Sequence, residues 1–135
     1  MKTFSTDQIK NLVIVGNSGS GKTTLAEAML FEGGIIDRRG DVESKNTVSD
    51  FKEIEQTNTC SIFSSLLYTI YNDHKINLID APGLDDFING VISALPVVDT
   101  ALMVVNAQNG IEVGAEIHGR YLNKADKPVI FVVNQ

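Results

Sequence analysis

The 135-residue chain has a single cysteine, a shortage of positive charge and no long apolar run, and each deficit removes a class of protein. Cys60 has no second cysteine to pair with, so no internal disulfide can staple a small secreted scaffold. Eleven Lys and Arg against seventeen Asp and Glu leave a net charge of −6. Such a surface offers no basic field for tracking a nucleic-acid backbone, and no direct DNA binding is expected. No apolar stretch approaches the roughly 18 residues of a membrane-spanning helix. The polar opening MKTFSTDQIKN also lacks the apolar centre of a secretory signal. The expectation is a soluble cytoplasmic chain with no membrane partner. Repeats and low-complexity tracts are absent as well.

What is present suffices for one core: 43% of the residues are hydrophobic, in a normal single-domain length. Residues 12–15 (LVIV) form a short apolar run ended by Gly16, as in a buried parallel strand, and helix formers follow over residues 24–31. Gly33, Gly34 and Gly40 then interrupt regularity, and residues 37–58 are polar without a sustained period, which predicts a long surface loop. Residues 61–71 and 75–79 have strand character, and Asn72-Asp73 between them predicts an antiparallel hairpin. Two further apolar strands are expected at residues 100–106 and 128–133, separated by a helix at about residues 112–124. This alternation predicts an α/β sandwich of three layers, a mostly parallel sheet with helices on both faces.

Between the first strand and helix lies GNSGSGKTT: Gly16, Asn17, Ser18, Gly19, Ser20, Gly21, Lys22, Thr23 and Thr24. Gly16, Gly21, Lys22 and Thr23 satisfy the phosphate-loop pattern GxxxxGK(S/T) once, in the strand-to-helix setting that the pattern requires. Glycines at 19 and 21 let successive backbone N–H groups turn inward on phosphate oxygens at the positive end of a helix. Lys22 supplies a point charge for the β and γ phosphates. The Thr23 hydroxyl suits Mg²⁺, which prefers hard oxygens and takes few of them from protein. A flexible glycine connector is the bland alternative, and the flanking strand and helix weigh against it.

A second motif, DAPG (residues 80–83), closes the apolar strand INLI 58 residues after Lys22. Asp80 at a strand end can meet magnesium through water, and Gly83 can offer a backbone N–H to a γ phosphate. By itself the string is an ordinary turn with an aspartate cap; with the phosphate loop it indicates one Mg²⁺-nucleotide site.

The co-linear set TDQIKN, GNSGSGKTTLAEAML, GGIIDRRG, INLIDAPGLDDF, ALMVVNAQNGIEVG and VIFVVNQ resembles the GTP-binding domain of elongation factor G, a translational GTPase. The resemblance leans to the divergent second bacterial copies of that factor, and tetracycline-resistance-type ribosomal protection proteins are also similar. It implies a phosphate-loop NTPase fold, GTP or GDP with Mg²⁺, and the ribosome as partner of the full-length protein. It further implies that residues 1–135 are a partial GTP-binding domain, ending before the last strand and helices and leaving one sheet edge uncovered.

Departures from the family pattern limit the transfer of roles. Where the family has Arg-Gly and then a threonine that closes over magnesium, this chain has Asn58, Thr59, Cys60 and Ser61. The resemblance places Ser61 as a metal ligand beside Thr23 and Asp80; Thr57 and Thr59 are alternatives under a shifted alignment, and a loosely ordered polar loop is another. The family histidine after DxPG is Leu84, which cannot orient an attacking water. Loss of such a group puts roughly 10²- to 10⁴-fold of rate at stake. His74, beside the hairpin turn, and His118, in the later helix, read as surface residues and poor replacements. The guanine-reading NKxD is represented by Asn134 and Gln135, with Gln135 in the lysine place. Three functions follow: a GTPase, a nucleotide-gated ribosome-binding factor with weak or absent cleavage, and, least favoured, an ATPase using the same loop.

Overall fold

The computed structural model describes residues 3–50, 52–58 and 60–134. Five strands form one sheet: β1 (Ile9–Gly16), β2 (Ser65–Tyr71), β3 (His74–Asp80), β4 (Thr100–Asn106) and β5 (Val129–Asn134), in the spatial order β2-β3-β1-β4-β5. Only β2 runs antiparallel to its neighbour, β3; β3, β1, β4 and β5 are parallel. The β2–β3 turn uses Asn72 and Asp73 at φ +45° and +62°, the left-handed pair that a two-residue hairpin needs.

Among the described residues four α-helices accompany the sheet: α1 (Lys22–Glu32), α2 (Glu53–Asn58), α3 (Ile88–Ala94) and α4 (Val113–Lys124). Alternation along the central strand sends successive side chains to opposite faces. Val13 and Val15 join a cluster with Val91 and Ala94 of α3 and Ala115 and Leu122 of α4. Ile14 joins the other cluster, with Ala26 of α1 and Val104 of β4. The expected helices on both faces are therefore present, and β1, with Val13, Ile14 and Val15 fully buried, runs between the two cores.

Three expectations are corrected. The segment over residues 37–58 is not a plain surface loop: it ends in α2, and Thr47, Ser49, Asp50 and Glu55 are buried. Its burial comes from polar atoms finding partners in the fold, which leaves no hydrophobic period to read. Strand β2 begins at Ser65, not at residue 61, because residues 61–63 are turned against Glu55 before the hairpin starts. His118 is fully buried. It shares the inward stripe of α4 with Ala115 and Leu122, at helical spacings of three and four. His74 is half-buried, with Nδ1 2.8 Å from the Asn72 carbonyl.

Candidate functional site: a phosphate-loop cavity

The loop between β1 and α1 turns on glycines. Gly21 sits at φ +90°, where an L side chain is strained, and a Cβ there would collide with the Asn134 amide nitrogen. That amide donates to the Ser20 carbonyl at 3.1 Å, tying the end of β5 to the loop. Lys22 is buried and donates from Nζ to the Asn17 carbonyl at 2.8 Å, within its own loop. Gly83 of DAPG packs directly on this arrangement: a Cβ would strike Lys22 Nζ and reach 2.8 Å from the Ser18 backbone nitrogen.

Two elements remote in sequence meet at the first turn of α1. The Thr23 hydroxyl donates to Asp80 Oδ2 at 3.0 Å, from the end of β3, and lies 3.4 Å from Ser61 Oγ. Asp80 is 1% exposed, and its other oxygen, Oδ1, has no hydrogen-bond partner among the described residues. Burial pushes its carboxyl up to about 6, against the opposing pull of the Thr23 hydroxyl and the Lys22 ammonium. Burial likewise pushes Lys22 down, while Asp80 and Asp50 pull it back.

Asp50 was not visible in the sequence as a site residue. It is 6% exposed, and burial raises its carboxyl while a hydrogen bond from Ser61 lowers it. In TVSD it looks like one more acid of a solvated polar stretch; only the folding of residues 40–50 against α1 carries it to the Lys22 ammonium. Glu55 returns the chain to the site, accepting the backbone N–H groups of Ile62 and Phe63 at 3.1 Å each and so fixing the residues just after Ser61. Thr57 bonds to the Glu53 carbonyl on α2 and does not line the cavity; Thr59 and Gln135 lie outside the described residues.

Between these elements lies a cavity of about 490 Å³. It is lined by Ser18, Gly19, Gly21, Lys22, Thr23 and Thr24 of the loop and first turn of α1, by Asp41, Val42 and Glu43, and by Asp50, Cys60, Ser61 and Gly83. Gly16 lies buried at the end of β1, directly beneath the loop. Leu84 follows Gly83 outside the lining, with 37% of its surface exposed. The site therefore offers one ammonium, glycine backbone and the hydroxyls of Ser18, Thr23, Thr24 and Ser61, with two buried carboxylates, Asp50 in the lining and Asp80 bonded to Thr23, that each keep an oxygen unpartnered among the described residues. Hard oxygens at Thr23, Asp80, Ser61 and Asp50 suit a magnesium ion, and Lys22 with the loop amides suits phosphate.

Fold and site define a phosphate-loop nucleotide-binding domain of the α/β class. A family profile described as the Elongation factor Tu GTP binding domain matches residues 7–135, and the chain belongs to that family. It is 38% identical over 93% of its length to an oxytetracycline resistance protein of Streptomyces rimosus and 33% identical over 96% to peptide chain release factor 3 of Enterococcus faecalis. It is 31% identical over its full length to elongation factor G of Granulibacter bethesdensis. The chain spans 19%, 25% and 20% of these relatives, respectively. A Thermus thermophilus crystal structure, ttk003000868, superposes with a TM-score of 0.90 at 34% identity, over 93% of this chain and 19% of that one. Elongation factor SelB of Methanococcus maripaludis, solved with the GTP analogue GPPNHP, superposes at 0.68 with 27% identity, over 92% of this chain and 21% of that one. Membership makes this a domain of the translational GTPase family, and guanine nucleotide binding follows from it.

Proposed function

We propose that this chain is the nucleotide-binding part of an elongation factor G type protein that acts on the ribosome in translocation, in the cytoplasm, and that holds Mg²⁺-GTP with weak cleavage. The observation that carries the reading is the convergence of Lys22 and Thr23, Ser61 and Asp80, from three separate stretches of sequence, with the first three lining one cavity and Asp80 hydrogen-bonded to Thr23 beside it. In this reading Lys22 and the loop N–H groups bind the β and γ phosphates. Thr23 and Ser61 would hold the metal, Asp80 would reach it through water, and Gly83 would offer its N–H to the γ phosphate. Asn134 stiffens the loop through Ser20 and flanks the base. Mg²⁺ supplies charge neutralisation of the phosphates when bound.

Weak cleavage follows from Leu84. Phosphoryl transfer depends on positioning water and stabilising charge, and this side chain has neither donor nor acceptor. Binding is untouched, so nucleotide-gated ordering of the loops survives without fast chemistry. Single-turnover GTP cleavage, with and without ribosomes, tests the reading. A rate equal to that of a histidine-containing relative would sink it. Competition of GTP and ATP against a fluorescent guanine nucleotide separates the ATPase alternative.

A ribosomal protection role of the tetracycline-resistance type is the second reading. The 38% identity to the oxytetracycline resistance protein favours it. Translocation assays and drug-rescue assays on the full-length protein give opposite outcomes for the two.

A further inference from the structure

The segment that brings Asp41, Val42 and Glu43 to the cavity is held by a carboxylate that no motif accounts for. Glu27 lies on α1, 1% exposed, and each of its oxygens accepts one backbone N–H: Oε2 from Gly40 at 2.8 Å and Oε1 from Val48 at 2.5 Å. The chain between these two anchors is closed on itself. The Asp41 N–H donates to Asn46 Oδ1 at 2.7 Å, Ser44 donates to Asp41 Oδ2, and the Lys45 N–H donates to the Val42 carbonyl. Glu27 therefore pins the neck of a compact loop whose body, Asp41, Val42 and Glu43, lines the same cavity as Lys22.

The neck is tight. A Cβ on Gly40 would lie 2.7 Å from Thr47 Cα and 2.8 Å from Glu27 Oε2, so only glycine lets the two ends approach under the carboxylate. Immediately beyond the neck, the Asp50 N–H donates to Thr47 Oγ1 at 3.3 Å, and Asp50 enters the site. A buried carboxylate serving two N–H groups makes charge-assisted bonds, stronger than neutral ones. Because Glu27 stands on the same helix that begins with Lys22 and Thr23, the loop wall is fastened to the rigid element that carries the phosphate-binding residues.

We infer that Glu27 is a positioning residue of the nucleotide site: it latches residues 40–48 against α1 beside the cavity and sets how fast a bound nucleotide leaves. The inference rests on the nucleotide reading of the cavity, and the latch itself is visible without nucleotide.

Glu27→Gln keeps the shape but turns one acceptor into an amide that faces an N–H, so one of the two bonds is lost. Hydrogen exchange on the 135-residue chain should show Gly40 and Val48 amides losing protection while the amides of β1 and β4 keep theirs. Release of a fluorescent GDP, followed by stopped flow, should accelerate by on the order of tenfold, the equivalent of one charge-assisted bond. Gly40→Ala, which leaves the carboxylate intact and forces the neck apart, should act in the same direction. Together the two variants separate the latch from a general loss of fold, which would strip protection from β1 and β4 as well. Wild-type chain that binds no fluorescent GDP overturns the nucleotide reading. Wild-type chain that binds it, with both variants releasing it at the wild-type rate, overturns the latch.

Discussion

At the scale of the residue, Asp80 joins stability to function with opposite signs. Its carboxyl ionises near 6 in the fold and near 3.8 outside it, because burial disfavours the charge. Between those values the folded chain holds the proton more tightly than the unfolded chain. Stability without metal therefore falls as pH rises from about 4 to about 6 and levels off above. Asp80→Asn keeps an acceptor for Thr23 and removes that penalty. It should raise stability at pH 7.5 by about 2 kcal/mol, and leave it nearly unchanged at pH 4, in urea unfolding without magnesium or nucleotide. The same variant should weaken magnesium-dependent nucleotide binding, read by fluorescent GDP titration. Leu84 is the converse case, a residue whose change should add chemistry. Leu84→His should speed ribosome-stimulated GTP cleavage at least tenfold, on the scale of a positioned acid-base or water-orienting group, with nucleotide affinity unchanged. Of the site residues, Lys22, Thr23 and Asp80 were legible because their motifs encode chemistry at fixed spacing. Asp50, Glu27 and Glu55 were not, since an acid's burial and partners are set by elements far along the chain.

At the scale of the element, the phosphate loop works because β1 and α1 are pinned on both sides. Asn134 arrives from β5 and Gly83 from the end of β3, and each packs where the loop has no side chain to spare. Gly21→Ala places a methyl at φ +90° and against the Asn134 amide. It should cost about 1–3 kcal/mol of stability and abolish detectable GDP binding, measured by thermal unfolding and by calorimetry. The five strands and helices α1 and α4 were readable to within a few residues from apolar runs and glycine stops; α2 and α3 were not assigned. The stretch over residues 37–58 was not, because its order comes from backbone N–H groups reaching Glu27 and side chains reaching back to the main chain. Such bonds leave no periodic trace. His118 shows the same limit on a helix: a lone imidazole does not announce which way its face will turn.

At the scale of the whole molecule, β5 stands at one end of the sheet with Ile130, Phe131 and Val133 more than half exposed. An apolar edge strand is a template for pairing. The isolated chain should self-associate at roughly tens of micromolar in analytical ultracentrifugation, and Phe131→Lys combined with Val133→Lys should return it to monomer. Nucleotide affinity should survive that double change, because both side chains lie away from the cavity lining. By itself the sequence determined the fold class, the phosphate loop and the DAPG turn, because apolar periodicity and the glycine and proline needs of tight turns are local properties of the chain. Tertiary structure alone decided that Asp50 enters the site, how closely Thr23 approaches Asp80 and Ser61, and that Glu27 fastens the cavity wall. Those contacts join residues 13 to 57 positions apart, and only the packed sheet and helices bring such partners within hydrogen-bonding reach.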